Sequence, residues 1–219
     1  FWGVNFDGYI WKTIPRGGVQ RYQAAQFPAE LHSIFEDAEG SIWCGSDGGG
    51  LFRVRPRTAQ TVAQREGLAA NIVKSVTADR EGKVWSISSS GVNLLASEPL
   101  RVTGLEAVDK HHWVALADRD GSLWAGSYGS GVVRRMDGKE ERARLKDGTP
   151  LEGICLALHQ DAAGKIWAGG EFGIARLSGL LAEPMPVALP ELVGGRAIAE
   201  DPAGHLYFGT RGDGVLTFY

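Results

Sequence analysis

Five histidines, two cysteines and a recurring aspartate are the residues of this chain with the most chemical reach. The histidines are His32, His111, His112, His159 and His205. None of them stands in an H-E-x-x-H or comparable metal-ligand spacing. His111 and His112 are adjacent, so on a strand they point to opposite faces and cannot chelate one ion together. The chain has no G-x-S-x-G elbow for a serine nucleophile. Cys44 and Cys155 lie in apolar strand patterns at unrelated places, which predicts two buried thiols rather than a disulfide. Gly48-Gly49-Gly50 is followed by no helical pattern, so it reads as a turn and not as a phosphate loop. The expectation from these residues is a protein that binds rather than catalyses, with no catalytic set, no metal and no cofactor.

The aspartates recur for a different reason. Five segments align without gaps: EDAEGSIWCGS (36–46), ADREGKVWSIS (78–88), ADRDGSLWAGS (117–127), QDAAGKIWAGG (160–170) and EDPAGHLYFGT (200–210). The shared aspartates are Asp37, Asp79, Asp118, Asp161 and Asp201, and their spacings are 42, 39, 43 and 40. The shared aromatics are Trp43, Trp85, Trp124, Trp167 and Tyr207, and Trp2 opens a partial sixth copy. A period near 40 residues is the mark of a repeat architecture. Within each copy a short apolar run leads into Asp-x-x-Gly, where Asp bonds the backbone ahead and Gly takes a positive φ. A β-rich run through the tryptophan follows, then a second Gly-rich turn and two further strands. No window shows a sustained helical stripe.

Each copy is therefore a four-stranded antiparallel meander. It cannot bury both faces alone, so copies must stack face to face. The predicted fold is an all-β propeller of about six blades, or a fragment of a larger ring such as one of seven. A partial blade covers residues 1–24. Blades follow at about 25–66, 67–106, 107–147 and 148–190, and a last one covers 191–219, all in a single domain. The repeated Trp is expected to plug the space between blades and the repeated Asp to hold turns. The 31 glycines are spread among turns rather than gathered in a linker. A net charge of -3 argues against a nucleic-acid surface, and no apolar run reaches the ~18 residues of a membrane span.

The stretch Ile34-Phe35-Glu36-Asp37-Ala38-Glu39-Gly40-Ser41-Ile42-Trp43-Cys44-Gly45-Ser46-Asp47-Gly48-Gly49-Gly50-Leu51-Phe52-Arg53 resembles the two-component regulator propeller repeat. That pattern runs roughly V-x-x-I-x-E-D-x-x-G-x-L-W-I-G-T-x-G-G-G-L-x-R. Residues 66–73 resemble the linker into its first strand. Departures are local: Ile87 stands for the usual Gly, 171–173 shorten a turn, and Tyr207 replaces Trp. The resemblance implies a periplasmic or extracellular sensing module of a bacterial signalling receptor, and some such sensors respond to oligosaccharides. A protein-interaction scaffold, including self-association, is the alternative reading. A metal-dependent enzyme like the streptogramin lyases, which share similar repeats, is the more distant one.

Propellers usually take ligands at the face where the first strand of each blade enters. The residues at or next to the position five before each turn aspartate are His32, Lys74, His112, Trp113 and Arg196. With Tyr128, Phe172, Phe6 and Arg211 in the turns after the second strand, they predict a cationic mouth walled by aromatics. Converging positive charge would favour an acidic oligosaccharide or another small anion.

Overall fold

Each of the five Asp-x-x-Gly segments closes a tight turn. In the first, the Gly40 N–H donates to the Asp37 carbonyl at 3.0 Å and the Asp37 N–H donates to the Ser41 carbonyl at 2.9 Å. The turn glycines Gly40, Gly82, Gly121, Gly164 and Gly204 have φ between 77° and 87°, a region that any side chain disfavours. The aspartate side chain completes the turn. Oδ1 of Asp37, Asp79, Asp161 and Asp201 accepts the N–H of Ser41, Lys83, Lys165 and His205 at 2.7–2.9 Å. Oδ2 accepts the indole N–H of Trp43 at 2.7 Å, Trp85 at 3.0 Å and Trp167 at 2.8 Å, and the hydroxyl of Tyr207 at 3.0 Å. Asp118 keeps the indole bond, to Trp124 at 2.9 Å, but its Oδ1 accepts from Gln160 of the next repeat at 2.6 Å. The aspartate therefore welds turn and tryptophan together, so the tryptophan is set by a polar bond as well as by packing.

The computed structural model describes residues 2–4, 9–14, 18–23, 30–55, 58–88, 90–97, 100–105, 111–186, 195–210 and 214–218. The chain forms two compact units, Phe1–Lys110 and His111–Tyr219. In the first unit β1 (Trp2–Val4), β2 (Tyr9–Ile14) and β3 (Gly18–Gln23) form a three-stranded sheet. A four-stranded meander follows in β4 (Leu31–Glu36), β5 (Ile42–Ser46), β6 (Leu51–Arg55) and β7 (Thr58–Val62). The next is β8 (Val73–Ala78), β9 (Val84–Ser88), β10 (Gly91–Ser97) and β11 (Leu100–Leu105).

The second unit repeats the plan. It holds β12 (His112–Ala117), β13 (Leu123–Gly129), β14 (Val132–Met136) and β15 (Lys139–Arg142), then β16 (Gly153–Gln160), β17 (Ile166–Gly170), β18 (Gly173–Ser178) and β19 (Leu181–Pro184). A three-stranded sheet of β20 (Ala197–Glu200), β21 (Leu206–Gly209) and β22 (Val215–Phe218) closes it. All the pairings are antiparallel. No helix among the described residues is long and apolar enough to cross a membrane.

Within each unit the cores lie between consecutive sheets. Trp43, Leu51 and Val62 of the β4–β7 sheet pack with Val73, Val76, Val84 and Leu95 of the β8–β11 sheet. Trp124 and Val132 pack with Ile166, Ala168 and Leu177 of the sheet after theirs, and Trp167 packs with Leu206 and Phe208. A tryptophan buries about 150–250 Å², so one such side chain dominates each junction. Arginine covers two of them: the Arg53 guanidinium lies 5.0 Å over the Trp43 ring and that of Arg134 lies 5.5 Å over Trp124.

The glycine two places after the tryptophan explains how close the sheets come. A Cβ at Gly45 would meet Val73 Cγ1 at 2.8 Å, one at Gly126 would meet Cys155 Sγ at 2.6 Å, and one at Gly169 would meet the Gly195 carbonyl oxygen at 2.8 Å. Each contact is with the first strand of the next repeat or the residues leading into it, which leaves no room for a methyl group in a close-packed interior.

Candidate functional site

The first strand of each four-stranded meander carries a β-bulge at one and the same repeat position. Its register against the second strand jumps between Leu31 and Ser33, between Val73 and Ser75, between His112 and Val114, and between Cys155 and Ala157. The residues left out of the ladder are His32, Lys74, Trp113 and Leu156. A bulge re-aims its side chain away from the alternation of the strand. These four stand five residues before their turn aspartates, and Arg196, which is exposed, holds the same offset from Asp201. The scaffold positions repeat one residue type, whereas this position changes chemistry from copy to copy.

The residue just before the bulge points inward. Leu31, Val73 and Cys155 are buried there, and His112 is 2% exposed at the equivalent place. The sequence reading put His112 in the ligand mouth, and the structure buries its side chain. His112 fills a core position of the strand, and its neighbour Trp113 is the residue turned outward, 39% exposed.

A second repeated contact brings another side chain to the bulge. The residue four after the tryptophan donates its N–H to the carbonyl two before the bulge. Asp47 bonds Glu30 at 3.0 Å, Tyr128 bonds His111 at 2.8 Å and Glu171 bonds Ile154 at 2.8 Å. This backbone clasp sets His32 beside Asp47 and Trp113 beside Tyr128. In the second unit the clasped edge goes further, because Tyr128 and Gly129 pair with Ile154 and Gly153 and so join two meanders into one sheet.

Two of the clasped pairs are chemically distinct. Trp113 and Tyr128 have ring centroids 6.3 Å apart at 38°, and Tyr128 is 60% exposed. They offer an open aromatic ledge. At His32 the surroundings are acidic: Nε2 lies 3.7 Å from Asp47 Oδ2, and one donor atom each of Glu30, His32 and Asp47 falls within 4.8 Å of the others. Glu30 also holds φ 68°, which an L residue rarely adopts.

Among the remaining expected site residues, Lys74 is half-buried at its bulge. Phe172 is half-buried and packs against the core containing Trp124 and Leu177. Arg211 and Phe6 lie outside the described residues. Glu30 and Asp47 were missed by the sequence reading. Aligning the residue four after each tryptophan would have brought out Asp47, but only the ladder register reveals that it meets the bulge.

The two cysteines contribute no chemistry at this face. Both are buried and unbridged, and burial raises each thiol to about 12.

No protein-family model and no curated protein sequence matches the chain. Solved structures do. The extracellular domain of the hybrid two component system BT3049 from B. thetaiotaomicron aligns over 99% of this chain and 33% of its own, at 16% identity and TM-score 0.71. That of BT4673 from the same organism aligns over 99% and 32%, at 14% identity and TM-score 0.71. A virginiamycin B lyase from Staphylococcus aureus aligns over 99% and 82%, at 12% identity and TM-score 0.74. The chain spans about a third of the length of the two extracellular domains. Stacked four-stranded antiparallel blades, bulged on the first strand and welded by Asp–Trp bonds, are the fold of a β-propeller.

Proposed function

We infer that the chain is a ligand-sensing propeller module of an extracytoplasmic signalling receptor, and that it reads an oligosaccharide at the edge carrying the clasped Trp113–Tyr128 pair. The observation that carries this reading is the exposed Trp113–Tyr128 ledge. Large aromatics left in solvent at the edge of an otherwise well-packed repeat mark a recognition surface. A sugar ring has one apolar C–H face that suits such a ledge, and hydroxyls that suit the polar groups around it. The likeness to extracellular domains of two component systems supports a receptor context. Fold alone carries little functional weight, because propellers host many activities.

Arg196, in the same unit as the ledge and at the repeat position equivalent to the bulge, adds positive charge, so uronic or sialic-type sugars are expected to bind more tightly than neutral ones.

The test is thermal stability of the purified chain against a panel of neutral and acidic oligosaccharides. A ligand at about 100 times its dissociation constant stabilises by roughly 2.7 kcal/mol, readily seen as a shift. Trp113→Ala should abolish that shift while leaving the melting temperature without ligand nearly unchanged. No shift with any sugar would overturn the reading and favour a protein partner at the same edge.

A further inference from the structure

The geometry points to a divalent transition-metal site of the zinc class at Glu30, His32 and Asp47. One imidazole nitrogen and two carboxylates form a mixed donor set of the type such ions prefer, while magnesium and calcium favour oxygen alone. The donors come from two loops: Glu30 and His32 from the start of β4 and Asp47 from the turn after β5. The Asp47–Glu30 backbone clasp fixes those loops against each other at 3.0 Å, and the bulge turns the imidazole toward the carboxylates.

The distance separates this arrangement from a direct hydrogen bond between the two side chains. A charge-assisted hydrogen bond between histidine and carboxylate closes to about 2.7–2.9 Å. His32 Nε2 and Asp47 Oδ2 stand 3.7 Å apart. Two donors each ~2.0–2.2 Å from a common ion, at a tetrahedral or slightly wider angle, stand roughly 3.3–3.7 Å apart. The third donor lies within 4.8 Å of both, and Glu30 is an exposed, three-torsion side chain able to swing inward. Three protein donors leave coordination positions open toward solvent, as in sites that bind a further ligand rather than purely structural ones. The inference does not depend on the sugar reading, which rests on Trp113 and Tyr128 in the other unit.

The experiment uses the untagged chain, stripped with a chelator and titrated calorimetrically with Zn²⁺, Mn²⁺ and Mg²⁺. One Zn²⁺ per chain is expected, with Mn²⁺ weaker and Mg²⁺ silent. His32→Gln and Asp47→Asn, checked for folding by circular dichroism, should each weaken Zn²⁺ binding by roughly tenfold or more. Trp113→Ala should bind Zn²⁺ as the unaltered chain does. In the unaltered chain, the His32 imidazole signals should shift first among the five histidines as Zn²⁺ is added, a readout that needs no variant. Absence of Zn²⁺ binding at millimolar concentration would overturn the proposal. So would binding that leaves the His32 signals in place or survives both substitutions.

Discussion

Asp161 joins two parts of its repeat with one carboxylate: Oδ1 accepts the Lys165 N–H at 2.8 Å and Oδ2 accepts the Trp167 indole N–H at 2.8 Å. Both partners lose their acceptor if the carboxylate is removed, and a buried donor left unsatisfied costs about 1–3 kcal/mol. Asp161→Ala should therefore lower stability by roughly 2–4 kcal/mol. Asp161→Asn should cost less but still more than about 1 kcal/mol, because an amide keeps only one accepting oxygen. Urea unfolding with near-ultraviolet dichroism of the tryptophans measures both. Equal stability of the alanine variant and the parent would contradict the weld.

Gly126 faces Cys155 Sγ and Val114 Cγ1, each 2.6 Å from where a Cβ would sit. Both obstacles are side chains in a packed junction, so Gly126→Ala forces a shift between neighbouring repeats. Overpacking of this kind costs about 1–3 kcal/mol. The double variant Gly126→Ala with Cys155→Ala should recover part of the loss. A neutral single variant would mean that the sheets stand farther apart than described.

The thiols give a probe of the interior. At about 12, each is almost wholly protonated at pH 8, and the thiolate is the reactive form. A disulfide-exchange reagent should titrate neither cysteine in the native chain and both in guanidinium chloride. Rapid native reaction of Cys155 would show that the junction of the β12–β15 and β16–β19 sheets opens under native conditions.

Asp201 supplies a dependence on pH. The His205 backbone N–H first, then the His205 side chain and the Tyr207 hydroxyl, hold its carboxyl at about 2, below the ~3.9 of an unfolded aspartate. A depressed value means that its contribution is complete above about pH 4 and is lost as pH falls through about 2. The gap in melting temperature between the parent and Asp201→Asn should thus narrow as the pH falls from about 4 toward 2. A gap that stays constant to pH 2 would show that the carboxylate does not favour the folded state.

The turns and the repeat were legible in the sequence because they depend on local chemistry. Asp37 and Gly40 make their turn whatever lies elsewhere, and a tryptophan at a fixed offset needs no register to be noticed. The hydrogen bond between Asp37 and Trp43 was legible in principle, since the offset of six residues recurs, but an apolar reading of tryptophan hid it. The bulges were not legible. A strand that skips one residue shows no trace in a pattern of period two, so His112 and Trp113 exchange faces relative to naive alternation. The Glu30–His32–Asp47 group escaped for the same reason: Glu30 and His32 are near neighbours in sequence, but Asp47 lies beyond the next strand and meets them only through a ladder and a clasp.

Where it is described, at Asp47, Tyr128 and Glu171, the clasp divides a repeat into grammar and vocabulary. Turn, weld and close-approach glycine form a frame that recurs with few departures, Ile87 for a glycine and Tyr207 for a tryptophan, while the bulge residue and its clasped neighbour are two letters held at a fixed address: histidine with aspartate in one copy, tryptophan with tyrosine in another. Exchanging those letters leaves every hydrogen bond of the frame in place. Substitutions confined to those two addresses would change the surface chemistry of a repeat without touching its turns or its junctions.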